Sequence, residues 1–177
     1  LNPISHYGVT KCDAEKAVLD HPNGCSLRFA TLFGMSRRMR MDLLVNDFVW
    51  RAINDKAVVL FEGHFRRNFV HVQDAARALK WFGYDHGAKH FQSNIYNIGH
   101  PGANVTKREL CEEIAKQVPG FVYLDAPIGQ DPDKRDYIVS NDRMKRAGFH
   151  PNINLQAGIA ELRKGYSMIR RVGHGNA

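Results

Sequence analysis

The sequence predicts a fold of the α/β or α+β class, because segments typical of strands alternate with segments typical of helices along its 177 residues. The strand candidates are short runs rich in β-branched, aromatic and aliphatic residues, whereas the helix candidates carry apolar residues three or four positions apart. A composition of 44% hydrophobic and 24% charged residues is that of an ordinary globular protein. The length is enough for one domain or for two small subdomains.

The first third of the chain predicts a helix, one strand and a second helix. Helix character runs from Val9 to Leu19, and the HPNG sequence of residues 21–24 predicts the turn that ends it. The apolar run SLRFATLFG, residues 26–34, predicts a single buried strand. After a polar loop, Asp42 is a candidate N-cap for a helix that extends to about Ile53.

The rest of the chain continues this alternation. Asp74 is better explained as the N-cap of an amphipathic helix, DAARALKWF, than as a catalyst. Thr106 and Glu109 form a capping-box pattern that predicts the start of another helix, and residues 154–169 predict the last one. The remaining strand candidates are VVLFEG, RNFVHV, IYNIG, FVYLD and, at residues 137–141, YIVSN. Only two strands lie early in the chain, which is too few for a doubly wound parallel sheet of their own.

Composition also limits the kind of protein. The sequence has no run of about 18 apolar residues and no basic, apolar leader, so we expect neither a membrane span nor secretion. Cys12, Cys25 and Cys111 are widely spaced and odd in number, which favours a reduced, cytoplasmic protein. His64 and His71 lack the spacing that would predict a metal site. Because the chain begins with Leu rather than Met, we expect a fragment of a longer polypeptide.

The formal net charge of +7 favours an anionic partner, which would be nucleic acid, a phosphate ester or an acidic surface. A solvated basic surface explains the same charge equally well. The basic residues cluster at Arg37, Arg38 and Arg40, at Arg66 and Arg67, and at Arg170 and Arg171. Composition leaves these interpretations open.

Tyr7 and Lys11 are four residues apart and therefore lie on one face of a predicted helix. A free phenol has a pKa of about 10 and is a poor base at neutral pH, but an ammonium group held beside it favours the phenolate. Such a pair can act as a general acid or base on a substrate hydroxyl. The spacing alone also occurs wherever a surface tyrosine lies beside a lysine.

The residues around this pair extend the pattern. In PISHYGVTKCDAE, a Pro-x-Ser-x-Tyr-Gly-x-Ser/Thr-Lys-x-x-x-Glu arrangement is matched by Pro3, Ser5, Tyr7, Gly8, Thr10, Lys11 and Glu15. The segment resembles the catalytic segment of the extended short-chain dehydrogenase/reductases, the nucleotide-sugar epimerases and dehydratases. Four later blocks resemble this family in the same order: LRFATLFG, RNFVHVQDAARA, IYNIG and SNDRMKRAGFHPNINLQAGIAEL. The resemblance covers only the C-terminal half of the family pattern, because the glycine-rich dinucleotide loop does not occur in these 177 residues.

The resemblance implies the C-terminal part of a Rossmann-like parallel sheet together with a small mixed α/β substrate-binding lobe. Residues 1–34 would supply the catalytic helix and a late strand of the Rossmann domain. Residues 35–177 would form mainly the lobe, with short returns to the Rossmann domain at about 67–99. Family members usually dimerise through the catalytic helix, so the resemblance also implies a homodimer.

The resemblance further implies the catalytic and cofactor-binding residues. Tyr7 would be the catalytic acid/base, and Lys11 would favour its phenolate and hydrogen-bond the nicotinamide ribose of NAD or NADP. Leu32 and Phe33 stand where the family packs a strand end near the nicotinamide, although both would serve equally well as core residues.

The substrate implied is a nucleoside-diphosphate sugar. Arg67 matches the family arginine that grips the diphosphate, since a guanidinium fork fits phosphate oxygens; the alternative is a surface arginine. Arg135 would be a second phosphate contact, with Lys134 as its competitor. Leu44 would offer a backbone N–H to the diphosphate, although helix-core packing is the stronger explanation.

The base and the sugar would meet other residues. Phe61 corresponds to an aromatic residue that packs against the nucleobase, with Val59 near the base edge, and a buried core phenylalanine is an equally good account. Thr31 stands where many relatives have an asparagine that touches the substrate, and its hydroxyl is a shorter donor.

The implied enzyme would be an NAD(P)-dependent epimerase, dehydratase or reductase that works by hydride transfer at a sugar carbon. The 177-residue chain by itself would be inactive. Two other classes of function stay open: a non-catalytic binding or assembly module, and a basic nucleic-acid-binding domain, which the sequence disfavours because it contains no nucleic-acid-binding motif.

Overall fold

A computed structural model of the chain describes residue 3 and residues 5–85, 95–126 and 136–168. The helices are α1 (His6–Leu19), α2 (Leu44–Asn54), α3 (Val72–Lys80), α4 (Lys107–Ala115), α5 (Asp142–Arg146) and α6 (Leu155–Met168). The strands are β1 (Ser26–Phe29), β2 (Thr31–Phe33), β3 (Ala57–Leu60), β4 (Arg66–His71), β5 (Ile95–Ile98), β6 (Asn104–Thr106) and β7 (Val122–Asp125). A π-helical turn, Trp81–Asp85, continues α3, and a 3₁₀ turn, Pro101–Ala103, precedes β6. Within these ranges no helix is both long and apolar enough to cross a membrane.

Within the described ranges the strands form three small sheets, in which most of the pairing is parallel. β1 pairs with β5 and β3 pairs with β7, both in parallel. β4 lies between β2, which is parallel to it, and β6, which is antiparallel. The predicted mixed α/β class is confirmed. Each early strand takes its parallel partner from later in the chain, so the early strands do not depend on one another for pairing.

The run SLRFATLFG forms two strands, so the prediction of a single strand is wrong. Phe29 lies opposite Ile98 of β5, whereas Thr31 lies opposite Phe69 of β4. Between them, the Ala30 N–H donates to the Ile98 carbonyl (2.8 Å). The chain therefore changes from one sheet to the next at Ala30, and the partners that cause this change are distant in sequence.

The predicted caps of α2 and α3 are also wrong. The N-cap of α2 is Leu43, which makes no side-chain cap bond, and Asp42 instead accepts from Arg40 Nε (2.8 Å). The N-cap of α3 is His71, whose Nδ1 accepts from the Gln73 N–H (3.3 Å). An imidazole nitrogen can replace the usual hydroxyl or carboxylate as the acceptor at this position.

Asp74 lies within the first turn of α3 and is fully buried. Its carboxylate accepts from the backbone N–H groups of Asn152 (3.0 Å) and Ile153 (2.8 Å). Asp74 therefore holds a distant segment against α3, a role that no local pattern reveals. The capping box of Thr106 and Glu109 is present in full at the start of α4, which confirms that prediction.

Residues 137–141 form no strand, contrary to prediction. The amide of Asn104 takes the place of a partner strand, donating to the Val139 carbonyl (3.2 Å) and accepting from the Val139 N–H (3.0 Å). The Tyr137 N–H donates to the Arg66 carbonyl (3.3 Å). The segment is thus docked beside the central sheet without joining it.

Two hydrophobic clusters hold these elements together. The larger joins α2, α4 and α6 to β2, β3 and β4 around buried side chains such as Phe33 and Leu162. The smaller joins α3, α5 and β5 around Phe82 and Ile98. Full burial of one large apolar side chain contributes about 1.5–3 kcal/mol. Helix α1 has no buried residue, so polar contacts must contribute most of what fixes its position.

Candidate active site

Tyr7 and Lys11 occupy successive turns of α1, which begins at His6, three residues before the predicted start at Val9. The helix begins here because Ser5 Oγ accepts a hydrogen bond from the Gly8 N–H (3.1 Å). Lys11 Nζ lies 5.6 Å from the centre of the Tyr7 ring. Tyr7 is 71% exposed, and Lys11 is also exposed. The pair therefore presents a phenol and a neighbouring cation, both open to a ligand.

This pair borders a cleft of about 470 Å³ between α1 and β1. The side chains that line it are Tyr7, Lys11, Ala14, Glu15 and Val18 from α1, and Cys25, Ser26, Leu27, Arg28 and Phe29 from β1 and the residue before it. A mixture of apolar walls with a few polar groups, at a volume of roughly 300–1,000 Å³, is typical of small-molecule sites. The cleft has the size and the chemistry to accept part of a cofactor or substrate.

A half-buried salt bridge fastens α1 to β1. The Glu15 carboxylate accepts from Arg28 Nε (2.8 Å) and Nη2, and from Ser26 Oγ (2.6 Å). The hydrogen bonds from Arg28, with that from Ser26, lower the pKa of Glu15 to about 2. Glu15 lies one turn beyond Lys11, so the salt bridge sets the position of the helix face that bears the pair. Arg28 is 13 residues away, and for this reason sequence reasoning recognised Glu15 only as part of a motif.

The predicted site residues of β2 and β4 lie on both faces of the central sheet. Thr31 lies opposite Phe69, and side chains alternate along a strand. Thr31 and Phe33 therefore share a face with Phe69 and Arg67, whereas Leu32 lies on the other face. The structure brings Thr31 and Arg67 to one side of the sheet, as a common substrate contact would require.

Phe33 is enclosed in the larger hydrophobic cluster. Its ring packs edge-on against the rings of Phe69, at 6.4 Å between centroids, and His71, at 5.3 Å. A Cβ added to Gly158 of α6 would meet the Phe33 ring at 2.3 Å. The side chain thus has a core role, so only the backbone of Phe33 can face a cofactor. Leu32 is half-buried.

Arg67 is only 3% exposed, so the alternative of a surface arginine is wrong. Its guanidinium lies 5.6 Å from the centre of the Tyr137 ring and donates to the Arg66 carbonyl (3.2 Å). Burial of a guanidinium is costly unless its charge and donors are used. The other predicted phosphate contact, Arg135, and its competitor Lys134 lie outside the described residues.

The β3–β7 sheet has one apolar face turned to solvent. Val59 and Phe61 lie on it, and the 39% exposure of Phe61 excludes the alternative of a buried core residue. The parallel register places Leu124 of β7 directly opposite Val59, and Val122 two residues before it lies on the same face. Both β7 side chains are exposed. Sequence reasoning missed them because the pairing of β3 with β7 spans more than 60 residues.

Leu44 is the first residue of α2, and its side chain packs against the larger hydrophobic cluster. The Leu44 side chain therefore has the role that the preferred explanation gave it, which is packing of the helix against the core. The first N–H groups of a helix lack intrahelical partners, so the backbone of Leu44 is placed where a phosphate contact is possible.

His71 is fully buried, and its Nε2 meets Glu161 Oε2 of α6. Because Nδ1 accepts from the Gln73 N–H, Nε2 is the nitrogen that donates to the carboxylate. His71 thus links β4, α3 and α6 through two hydrogen bonds. Among the residues that the structure describes, no three His, Cys, Asp or Glu side chains form a group able to hold a metal ion.

Comparison with family models matches the NAD dependent epimerase/dehydratase family over residues 1–99. The matched region is more than half of the chain. It contains α1, the cleft, the central strands β2 and β4, and strand β3.

Individual relatives cover nearly all of the chain. A candidate UDP-glucose 4-epimerase of Methanocaldococcus jannaschii is 23% identical over 171 residues, which are 92% of this chain and 53% of that protein. The solved structure of MoeE5 in complex with UDP-glucuronic acid and NAD is 27% identical with a TM-score of 0.69, covering 95% of this chain and 57% of that one. The UDP-glucose 4-epimerase of Thermotoga maritima with UDP-glucose shares the fold at a TM-score of 0.76 and 23% identity, covering 94% and 55%. The chain therefore spans about half the length of the proteins that it matches.

Proposed function

The chain belongs to the NAD dependent epimerase/dehydratase family, and we propose that it supplies the catalytic helix and the substrate-binding part of an enzyme that acts on nucleotide sugars. The observation that carries the proposal is the exposed Tyr7–Lys11 pair at the cleft, on a helix fastened by Glu15. The solved relative with 27% identity was bound to a UDP sugar and NAD, which supports the same classes of ligand here.

The groups present fit the nicotinamide end of NAD or NADP. Lys11 offers an ammonium donor for ribose hydroxyls beside the Tyr7 phenol, and the half-buried Leu32 and the Phe33 backbone lie at the end of the next strand. When bound, the nicotinamide would accept a hydride from a sugar carbon and later return it. The glycine-rich loop that would hold the pyrophosphate does not occur in these 177 residues. We therefore expect the 177-residue chain by itself not to turn over substrate.

Tyr7 acts in this proposal as the acid/base. As the sugar C–H bond gives up its hydride, the phenolate oxygen accepts the proton of the hydroxyl on the same carbon, which leaves a ketone and a neutral phenol. Lys11 places a positive charge beside the phenol, 5.6 Å from the centre of its ring. The ketone makes neighbouring C–H bonds more acidic, which permits epimerisation or dehydration, and simple reduction of a keto-sugar uses the same two residues in reverse.

The substrate residues are assigned by position. Arg67 binds the diphosphate with Arg135 and the Leu44 N–H, Thr31 faces the sugar, and Phe61 with Val59 takes the base. The buried Arg67 and the exposed apolar face around Phe61 support the two ends of this arrangement. The assignment of the sugar to Thr31 is supported by the register of β2 with β4, which places Thr31 on the face of the sheet that carries Arg67.

We also propose a homodimer and a cytoplasmic location. The absence of buried residues in α1 supports a helix that packs against a second subunit. The free thiols of Cys12, Cys25 and Cys111 support a reducing compartment. Sedimentation of the protein should give twice the monomer mass, and a monomer at micromolar concentration would argue against the dimer.

The test of the catalytic assignment is Tyr7→Phe in the full-length enzyme, measured by turnover of UDP-glucose with NAD and by binding of UDP-glucose. We expect turnover to fall by about 10²–10⁴-fold, because proton transfer is lost, while the substrate Kd changes less than about threefold. Tyr84→Phe is the matched control, since Tyr84 is also highly exposed but lies away from the cleft lining. Unchanged turnover in Tyr7→Phe would refute the assignment.

A further inference from the structure

Lys107 is a buried cation at a place where a cation is unfavourable. It is the first residue of α4 and only 3% exposed. The positive end of the helix dipole disfavours a lysine in the first turn, and burial of an ammonium group adds a desolvation cost. The helix start does not need it, because Thr106 and Glu109 already cap α4. The position of Lys107 therefore calls for another explanation.

The contacts of Lys107 are made with the link between β3 and β4, residues 61–65. Its Nζ donates to the Phe61 carbonyl (2.8 Å) and lies 5.5 Å from the centre of the Phe65 ring. Its own N–H donates to the Phe65 carbonyl (3.2 Å), and the Arg108 N–H donates to the Gly63 carbonyl (3.0 Å). Three hydrogen-bond donors at the start of α4 thus bind three of the carbonyl groups in this five-residue link.

The link needs such support because its backbone is strained immediately after Phe61. Glu62 has a φ of 50°, in the left-handed region that residues other than glycine rarely adopt. Positions of this kind cost roughly 1–3 kcal/mol and persist where the surroundings enforce them. The Lys107 ammonium fixes the carbonyl just before the strained residue, and so fixes the direction in which the Phe61 side chain leaves the strand.

That direction is towards the exposed apolar face of the β3–β7 sheet. Phe61 lies on the same side as Val59 and Leu124, which are opposite one another in register. A planar base laid on this face would contact the Phe61 ring and the two aliphatic side chains. The orientation of the ring then decides how much of its surface the base can cover.

We propose that Lys107 is a positioning residue for the nucleoside end of the substrate, acting through the Phe61 carbonyl to hold the Phe61 ring in place for the base. The inference rests on the proposed function, because it takes Phe61 as the base contact. Lys107 itself touches neither the base nor the phosphates. Its removal should therefore affect ligands that contain a base and spare ligands that consist of phosphate alone.

The test compares UDP with inorganic pyrophosphate, because the two solved structures named above contain UDP sugars. We expect Lys107→Met, which keeps most of the apolar stem and removes the donor, to raise the Kd of UDP about 10-fold, as expected for a lost base–aromatic contact. The Kd of pyrophosphate should change less than about twofold. Phe61→Ala should show the same selective loss, and the double variant should bind UDP no more weakly than Phe61→Ala alone.

Lys116→Met is the matched control, since it removes an exposed lysine at the C-cap of the same helix and should leave both affinities unchanged. If circular dichroism shows that Lys107→Met is unfolded, Lys107→Gln replaces it. Its side chain remains polar, but the amide ends one bond short of the ammonium position and so does not hold the Phe61 carbonyl in the same place. Equal UDP affinity in the wild type and in a folded Lys107 variant overturns the inference and leaves the proposed function standing. Equal losses for UDP and pyrophosphate also overturn it, since they show a general structural role. A wild-type protein that binds neither ligand overturns the proposed function and this inference with it.

Discussion

Replacement of Glu15 by Gln should loosen helix α1, because it removes the salt bridge that joins the helix to Arg28 of β1. The pKa of Glu15 is about 2 in the folded chain, compared with an ordinary value of 4.5. At about 1.4 kcal/mol per pKa unit, this lowering corresponds to about 3 kcal/mol of stability. The Glu15 side chain is 12% exposed but that of Arg28 is 35% exposed, so water screens the pair. We therefore expect a loss of about 2 kcal/mol in the free energy of unfolding at pH 7.

The sign of the pH dependence follows from the direction of the lowering. A carboxylate whose pKa is lower in the folded state contributes its full stabilisation above pH 4.5, and the contribution disappears as the pH falls towards 2. At pH 3 roughly two fifths of it should remain, which is about 1 kcal/mol. The difference between wild type and Glu15→Gln should therefore shrink by about half between pH 7 and pH 3.

Urea unfolding followed by circular dichroism at both pH values measures this difference. Glu112→Gln is the control, because Glu112 is an exposed acid on α4 and its loss should change stability by less than about 0.5 kcal/mol. Two results would refute the reasoning: a Glu15→Gln variant as stable as wild type at pH 7, or a difference that does not shrink at pH 3.

Two further predictions concern the substrate site and the core. In the full-length enzyme, Arg67→Ala should weaken UDP-glucose binding roughly 10–100-fold, the loss of charge-assisted hydrogen bonds, and leave NAD binding nearly unchanged in calorimetric titrations; an equal loss of both would indicate misfolding. Gly158→Ala should cost about 1–3 kcal/mol in thermal unfolding, because the added Cβ would meet the Phe33 ring at 2.3 Å. Gly83→Ala, which meets nothing within 4 Å, is its control, and equal stability of the two variants would contradict the packing argument.

The sequence was sufficient to predict a structural feature where the interacting residues lie within one helical turn of each other. The capping box of Thr106 and Glu109 predicted the start of α4 correctly, since both partners are three residues apart. The shared face of Tyr7 and Lys11 followed from their spacing of four residues, although the predicted helix began at Val9 and α1 begins at His6. The resemblance of the surrounding motif then identified the family, which the match over residues 1–99 confirms.

Long-range contacts account for the features that sequence reasoning missed. Asp74 has the residue type of an N-cap, but its acceptors are used by Asn152 and Ile153, more than 70 residues away. The partner of Glu15, Arg28, lies on the next strand rather than on the same helix. In each case the residue type indicated a hydrogen-bond acceptor, and only the fold determined which donor it meets.

The nine-residue run 26–34 connects the two ends of the proposed reaction. At its start, Arg28 and Ser26 hold Glu15 and thereby the helix of the acid/base pair. At its end, the Gly34 N–H donates to Oδ1 of the buried Asn46 (3.0 Å), which anchors the run to α2.

Gly34 has a φ of 113°, and a Cβ there would meet the His71 ring at 2.2 Å, so only glycine fits this anchor. Between the two anchors the chain changes sheets at Ala30, passing from β1 beside the cleft to β2 beside the strand of Arg67. The distance between the proposed acid/base and the proposed diphosphate contact is therefore set by one short, doubly anchored segment. In the full-length enzyme, loss of either anchor should therefore lower the rate of turnover more than it lowers the affinity for the substrate.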